Sequence, residues 1–311
     1  MNAAESEFQT IYAAVSHIIS PIYLVGGSVR DYVLGRPCTD YDFATPLEPE
    51  KVEAAIRAAG MHLFLVGKRF GTLGMRLNGR SVEITTFRAE TYSRGSRKPF
   101  VTYTHSLEQD LSRRDFTINA MAWQPGRLVD LFNGQEDLRE GIVRAVGQPG
   151  ERFQEDPLRM LRAARFSAQL GFRIEEQTLQ SISENAQHIL MVSHERWTQE
   201  LDTLLLSKQP SCGLQVLADT RLLACMLPEL AVIKMHTHFW QSVLKEVDTA
   251  PAEIVARWAA LFRIIGKPAE ETLYPLIGRE MVVKIGKYLH WPDQRTKLVA
   301  HLVSEAGQFV Q

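Results

Sequence analysis

Leu24-Val25-Gly26-Gly27-Ser28-Val29-Arg30-Asp31, followed shortly by Asp40-Tyr41-Asp42-Phe43-Ala44, is the stretch from which the fold of this chain is read. Pro21–Val25 is apolar and reads as a strand; the glycine pair interrupts it, and a helix follows over Val29–Leu34 until Gly35 stops it. Asp40–Ala44 alternates polar and apolar residues, so it reads as a second strand with Asp40 and Asp42 on one face. Two carboxylates so placed can hold a pair of divalent cations about 3.5–4 Å apart, which activate a hydroxyl and stabilise a leaving pyrophosphate. Acidic pairs also occur on ordinary solvent-facing strands, so this pair does not decide alone. The glycine pair likewise has two readings, a plain tight turn or a loop whose N–H groups approach phosphates where a helix begins. Glu83, among Val82, Ile84 and Thr85, is a third acid: a metal-site carboxylate that burial would force to find a partner, or a surface strand position.

Around this centre, Glu50–Ala59 reads as a helix, and Phe64–Val66, Thr72–Leu77 and Val82–Phe87 as strands. The first 125 or so residues therefore form a mixed α/β head. From about residue 135 helical periodicity dominates, over Glu155–Leu170, Arg196–Leu206, Gly213–Leu227, Ile254–Ile265 and Met281–Leu289. Pro228, Pro251, Pro268 and Pro275 punctuate these segments, and no internal repeat is visible. The expected fold class is α+β.

The chain has 311 residues, 45% of them hydrophobic and 23% charged, which suits two or three modest lobes with real cores. No apolar run approaches the roughly 20 residues that span a bilayer. The N-terminal stretch lacks the basic-then-apolar pattern of a secretory signal. Cys38, Cys212 and Cys225 lie far apart with no Cys-x-x-Cys, which argues against a disulfide framework or zinc site and for a reducing cytoplasm. A net charge of −1 does not advertise a nucleic-acid partner, but a local basic groove is enough to neutralise phosphates. Basic clusters occur at Arg94, Arg97 and Lys98, at Arg113 and Arg114, and at Arg159, Arg162 and Arg165; by charge alone each reads as a solvated face.

Four motifs in order make the reading specific. Gly-Gly-Ser-Val-Arg-Asp at 26–31, Asp-Tyr-Asp at 40–42, RRDFTINAMA at 113–122 and EDPLRMLRAARF at 155–166 together resemble the class II tRNA nucleotidyltransferase and bacterial poly(A) polymerase family, over about residues 22–230. The resemblance implies a polymerase-β-like nucleotidyltransferase head with a mixed sheet at 1–126, an all-helical neck carrying a nucleotide-selecting helix at 127–195, and a helical body with a short tail at 196–311. It implies that Gly26, Gly27, Ser28 and Arg30 bind the triphosphate and that Asp40 and Asp42 hold two Mg²⁺ ions; Glu83, read from its own strand-like surroundings, is the candidate third catalytic carboxylate. Arg114, Asp115 and Asn119 would recognise the ribose, where an aspartate accepting from a 2′-OH selects ribonucleotides. Asp115 capping a helix start is the competing reading.

The last motif places Glu155, Arg159 and Arg162 at i, i+4 and i+7 on one helix face, with Asp156 three residues before Arg159. Ordinary helix salt bridging, worth about 0.2–0.5 kcal/mol per pair, produces the same pattern. The resemblance assigns Asp156 and Arg159 to the incoming base, with Glu155 holding the arginine. Cytosine and adenine both present an amino donor beside a bare ring nitrogen, which an acceptor-only Asp and a donor-only Arg complement. Uracil and guanine reverse that pattern, stranding buried polar groups at roughly 1–3 kcal/mol each.

The implied activity is addition of C and A to the tRNA 3′ end from CTP and ATP; poly(A) synthesis and A-only addition to tRNA are the alternatives. Thr85–Leu111 looks like the family's flexible loop at full length, which disfavours CC-only addition. Phe64–Phe70 (FLVGKRF) partly resembles the poly(A) polymerase signature, but Gly71-Thr72-Leu73-Gly74 departs from its continuation. Ala256–Pro268 resembles a segment that carries an HD phosphohydrolase motif in some relatives, but Arg263 and Ile264 stand where the His and Asp would be. His236 and His238 read as structural or surface residues. No protein partner or membrane association is implied.

Overall fold

The computed structural model describes residues 3–65, 67–91, 100–234, 237–263 and 279–308. They form two compact units, Met1–Gln148 and Pro149–Gln311. Among the described residues no helix is long and apolar enough to cross a membrane.

In the first unit, helix α1 (Ala3–Ile18) precedes strand β1 (Tyr23–Val25), helix α2 (Gly27–Val33), strand β2 (Asp40–Thr45) and helix α3 (Pro49–Ala58). Strands β3 (Leu63–Phe64), β4 (Thr72–Leu77) and β5 (Arg80–Thr86) follow. Next come β6 (Arg88–Thr91), β7 (Phe100–Tyr103), helix α4 (Leu107–Ser112), β8 (Met121–Gln124), β9 (Arg127–Asp130) and α5 (Gly134–Glu140). Seven strands make one mixed sheet in the order β3-β4-β5-β2-β1-β8-β9, in which only the β2–β5 pair is parallel. Strands β4 and β5 turn on Asn78-Gly79, both at positive φ (50° and 77°), the backbone a tight two-residue hairpin requires. Strands β6 and β7 pair separately.

Alternation sorts the faces of this sheet. Tyr41, Phe43, Leu73, Met75, Val82 and Ile84 point into the core. An aromatic cluster covers part of that face: Phe8 of α1 stacks on Tyr32 at 4.3 Å and meets Trp123 edge-on at 4.9 Å. The intervening residues of β2, β4 and β5 share the opposite face, which a second cluster of Ala44, Val25, Phe87, Leu111 and Ala122 covers at one end and which is open where the acids lie.

Residues 127–148, grouped with the neck by the sequence reading, pack with the head. Strand β9 extends the sheet through β8, and α5 rests on the turn Thr117–Asn119. Gly134 is required at that contact, since a Cβ there would stand 2.4 Å from the Thr117 carbonyl oxygen.

Among its described residues, the regular structure of the second unit is helical apart from a two-residue extended stretch at Arg173–Ile174. Helix α6 (Pro149–Glu155) is followed by α7 (Leu158–Leu170), α8 (Glu176–Asn185), α9 (His194–Leu205), α10 (Pro210–Asp219), α11 (Leu222–Met226), α12 (Pro228–Lys234) and α13 (Thr237–Thr249). Then come α14 (Ile254–Arg263), α15 (Arg279–Tyr288) and α16 (Asp293–Gln308). Helix α7 packs on α9 and α10, and Trp197, Trp258, Phe153 and Phe262 are fully buried.

Two expected helices are each divided. Glu155–Leu170 breaks at Asp156-Pro157, because proline lacks an N–H and disfavours the helical conformation in the residue before it. Gly213–Leu227 breaks at Arg221, which adopts a left-handed φ of 65°. Within the expected loop Thr85–Leu111, residues 92–99 lie outside the described residues, as do Val66, His236 and Ile264–Pro268.

Candidate active site

The site of the first unit starts from register. Across the parallel pair, Asp40 is opposite Ser81 and Asp42 is opposite Glu83, so the three acids share the open face. Asp42 is half-buried; Asp40 and Glu83 are exposed. A buried Glu83 in search of a partner is therefore not what the fold provides. Burial, reinforced by neighbouring Glu83, pushes the Asp42 carboxyl from 3.8 up to about 6, with Arg114 opposing, Asp40 adding and Arg30 opposing. Unneutralised negative charge on oxygen donors suits a hard divalent cation. Among the described residues no three His, Cys, Asp or Glu side chains are gathered closely enough to hold a metal unaided. Mg²⁺ fits that arrangement, because it commonly takes one or two carboxylates and completes its shell with water and substrate phosphates.

The glycine turn lies against these acids. Gly26 has φ +68°, which residues with a side chain rarely adopt, and a Cβ there would be 3.2 Å from Arg114 Nη1 and 3.5 Å from Asp42 Oδ2. Backbone, guanidinium and carboxylate thus converge at one point. Ser28 is 2% exposed, and its hydroxyl donates to the Asp40 carbonyl at 3.2 Å and accepts from the Asp42 N–H at 2.8 Å. Its side chain clasps β2. The Cys38 thiol, which burial pushes up to about 11, also donates to the Asp40 carbonyl, at 2.9 Å.

Arg30 belongs to a second chain of contacts. Its guanidinium forks onto Asp31 at 2.9 and 3.0 Å and donates to Asn119 Oδ1 at 3.0 Å. Asn119 in turn donates to Asp115 Oδ1 at 3.2 Å, which also accepts the Phe116 N–H at 2.8 Å. Asp115 and Asn119 are 9% and 6% exposed. The structure thus links the expected triphosphate residue Arg30 to two of the three expected ribose residues.

The sequence reading missed Asp110. It is fully buried in α4, where its carboxylate takes Arg113 Nη2 at 2.5 Å and Arg114 Nη2 at 2.9 Å. Burial raises its carboxyl, but Arg114 and Arg113 outweigh that and hold it below the usual range. The signal was present as an acid three and four residues before two arginines, on a helix start capped by Ser106. Arg114 Nε is buried with no hydrogen-bond partner among the described residues, so Asp110 does not exhaust that guanidinium.

The second unit holds the remaining expected residues. Glu155, the last residue of α6, takes Arg152 at 2.6 Å and Arg159 at 2.7 Å. Arg159 is 8% exposed, at the start of α7. The Asp156 carboxylate accepts the Leu158 N–H at 3.1 Å and pairs with Arg196 at 2.8 Å. Arg162 and Arg165 both reach Glu200, at 3.5 and 2.5 Å. The expected single-helix spacing is thus replaced by a helix end, a proline break and a helix start, across which the Glu155–Arg159 contact persists.

Known proteins share this arrangement of sequence. The poly A polymerase head domain matches residues 22–144, and a probable RNA and SrmB-binding site of polymerase A matches residues 171–234. The CCA-adding enzyme of Lacticaseibacillus paracasei is 40% identical over 78% of this chain and 60% of its own length. That of Bacillus licheniformis is 37% identical over 81% of this chain and 66% of its own. The chain thus spans about three fifths to two thirds of the length of these relatives. Among solved structures, the Bacillus stearothermophilus CCA-adding enzyme in complex with CTP superposes with a TM-score of 0.69 at 33% identity, over 100% of this chain and 70% of that one. A tRNA nucleotidyltransferase complexed with a primer tRNA and an incoming ATP analogue superposes with a TM-score of 0.65 at 25% identity, over 90% of this chain and 80% of that one. With the head matched and the likeness running the whole length of the chain, this protein belongs to the family of CCA-adding enzymes and bacterial poly(A) polymerases.

Proposed function

We infer that this chain adds C and A nucleotides to the 3′ end of tRNA, using CTP and ATP and releasing pyrophosphate. The observation that carries this is the convergence of Gly26, Asp42 and Arg114 beside Glu83 on the open face of the head sheet. Likeness to CCA-adding enzymes, one of them solved with CTP, supports the substrates.

In this reading the RNA 3′-OH attacks the α-phosphate in line. Mg²⁺ held by Asp40 and Asp42 would supply charge neutralisation on the triphosphate and acidify the attacking hydroxyl. The backbone at Gly26 admits the phosphates closely, and Arg114, set by Asp110, offers positive charge. Asp115 and Asn119, locked to one another and to Arg30, present acceptors and donors for a ribose. In the second unit Arg159, held by Glu155, and Asp156 read the base edge. A neck that begins with the second unit and bears this pair, and a body that grips RNA, complete the assignment. Three free cysteines accord with a cytoplasmic enzyme.

The deciding experiment offers the purified chain tRNA lacking its last zero, one, two or three nucleotides, with each NTP separately and together. Addition that halts at CCA supports this function. Long A tails on generic RNA would assign poly(A) synthesis, and extension only of tRNA ending in CC would assign A-only addition.

A further inference from the structure

The open face of the head sheet continues beyond the acids. Register partners run in one row across four adjacent strands: Asp42 opposite Glu83, Glu83 opposite Gly74, and Gly74 opposite Phe64. Neighbouring strands lie about 4.8 Å apart, so the row extends about 14 Å from Asp42 to the edge strand. Gly74 carries no side chain, which leaves a trough between the carboxylate of Glu83 and the ring of Phe64. That trough opens into a groove of about 540 Å³, lined among others by Phe64, Phe70, Gly74, Ser81, Glu83 and Arg88. Its volume is in the range of sites for small organic ligands.

The lining is unusual for a surface with no task. Phe64 and Phe70 are 39% and 43% exposed, and Tyr103, whose ring edge covers Gly71, is 41% exposed. Two exposed aromatic rings that line the groove beside an arginine, with Tyr103 adjacent but outside the lining, match the way single-stranded RNA is held: bases stack on rings while the backbone follows positive charge. The groove also lies on a particular side. The glycine turn and Arg114 approach Asp42 from β1, whereas the groove approaches it from β5, β4 and β3. A transfer reaction brings two substrates to one set of acids, and the β1 side carries the features suited to a triphosphate.

We propose that this groove seats the unpaired 3′-terminal nucleotides of the RNA acceptor, with Phe64 and Phe70 as stacking platforms that deliver the terminal hydroxyl toward Glu83 and Asp42. The proposal rests on the transferase function inferred above and assigns a task to the FLVGKRF segment, which that function leaves unused.

The test compares the full chain with Phe64→Ala, Phe70→Ala and the double variant. Both side chains are exposed, so folding should persist, checked by an unchanged melting temperature. Steady-state transfer is measured while tRNA lacking its CCA end and CTP are varied in turn. The expected result is a KM for tRNA raised about tenfold in the double variant, with the KM for CTP within about twofold. A KM for tRNA that stays within twofold, or one that rises only in step with the KM for CTP, overturns the proposal. Should the parent chain extend no tRNA at all, the inferred function fails by itself. The groove is then decided by the fluorescence of a single-stranded trinucleotide carrying 2-aminopurine: quenching that the double variant loses upholds it, and equal or absent quenching rejects it.

Discussion

Asp42 and Glu83 face each other across the only parallel strand pair in the head sheet, so their carboxylates leave the same surface one strand spacing apart. Burial of Asp42 disfavours its ionisation, and the like charge of Glu83 at that distance reinforces the effect. A cation bound there would relieve that repulsion.

That relief has a pH signature. With the Asp42 carboxyl at about 6, apparent Mg²⁺ affinity should weaken about tenfold per unit as pH falls below that value, and Asp42→Asn should flatten the profile. Calorimetric titration with Mg²⁺ and CTP across the range checks it. The stability sign is opposite: a carboxyl raised in the folded state retains its proton there longer, so metal-free stability falls as pH rises from 3.8 through about 6. Asp42→Asn should accordingly melt about 2–4 °C higher than the parent above that range without metal.

Asp110 should behave as the keystone of the arginine pair. Replacing it with Asn strips a buried partner from Arg113 and Arg114, at a cost of about 3–5 kcal/mol in denaturant unfolding. Because its carboxyl is held low, the stability it contributes is complete above the ordinary Asp range and is lost as pH falls through its depressed value. The acid limb of the unfolding curve should therefore be shallower in the variant. An acid limb identical to that of the parent would mean that the arginines do not depend on Asp110.

Ser28→Ala should separate positioning from binding. The change leaves the Asp40 carbonyl and Asp42 N–H without their shared hydroxyl, costing about 1–3 kcal/mol. We expect kcat to fall about tenfold to a hundredfold as the acids shift, with the KM for CTP within about threefold. If KM rises and kcat holds, Ser28 touches the nucleotide after all.

Base selection is tested on the second unit. Asp156→Ala and Arg159→Ala should each lose about 5–150-fold of the preference for CTP and ATP over UTP and GTP before transfer is abolished. Competition assays with all four triphosphates measure it. Variants that reject UTP and GTP as strictly as the parent does would remove these residues from base reading. Arg196→Ala, which frees the Asp156 carboxylate, should change selectivity in the same assay.

Much of this was legible in the chain itself. The strands carrying Asp40, Asp42 and Glu83 and the turn at Gly26 follow from local patterns, because alternation and glycine act over a few residues. Helix α1 was not read, although Phe8, Ile11, Tyr12, Val15 and Ile19 form a buried stripe at helical spacing. The parallel register that sets Glu83 opposite Asp42 could not be read, since pairing between segments some forty residues apart leaves no local mark. Pro157 was visible, but the arginine-rich periodicity around it was allowed to override the break. The Asp156–Arg196 ion pair could not be read either, since its partners lie forty residues apart. Of the two readings open for Glu83, the structure gives the exposed strand position, and the other face of the sheet takes its apolar neighbours.

The Ser28 hydroxyl, caught between the two peptide groups that flank Tyr41, welds the first turn of α2, just after the glycine turn, to the start of β2. Neither segment can drift in evolution without dragging the other. Anyone grafting the glycine turn of a relative onto this head would have to transplant the acidic strand with it, or accept a graft whose two halves no longer keep step.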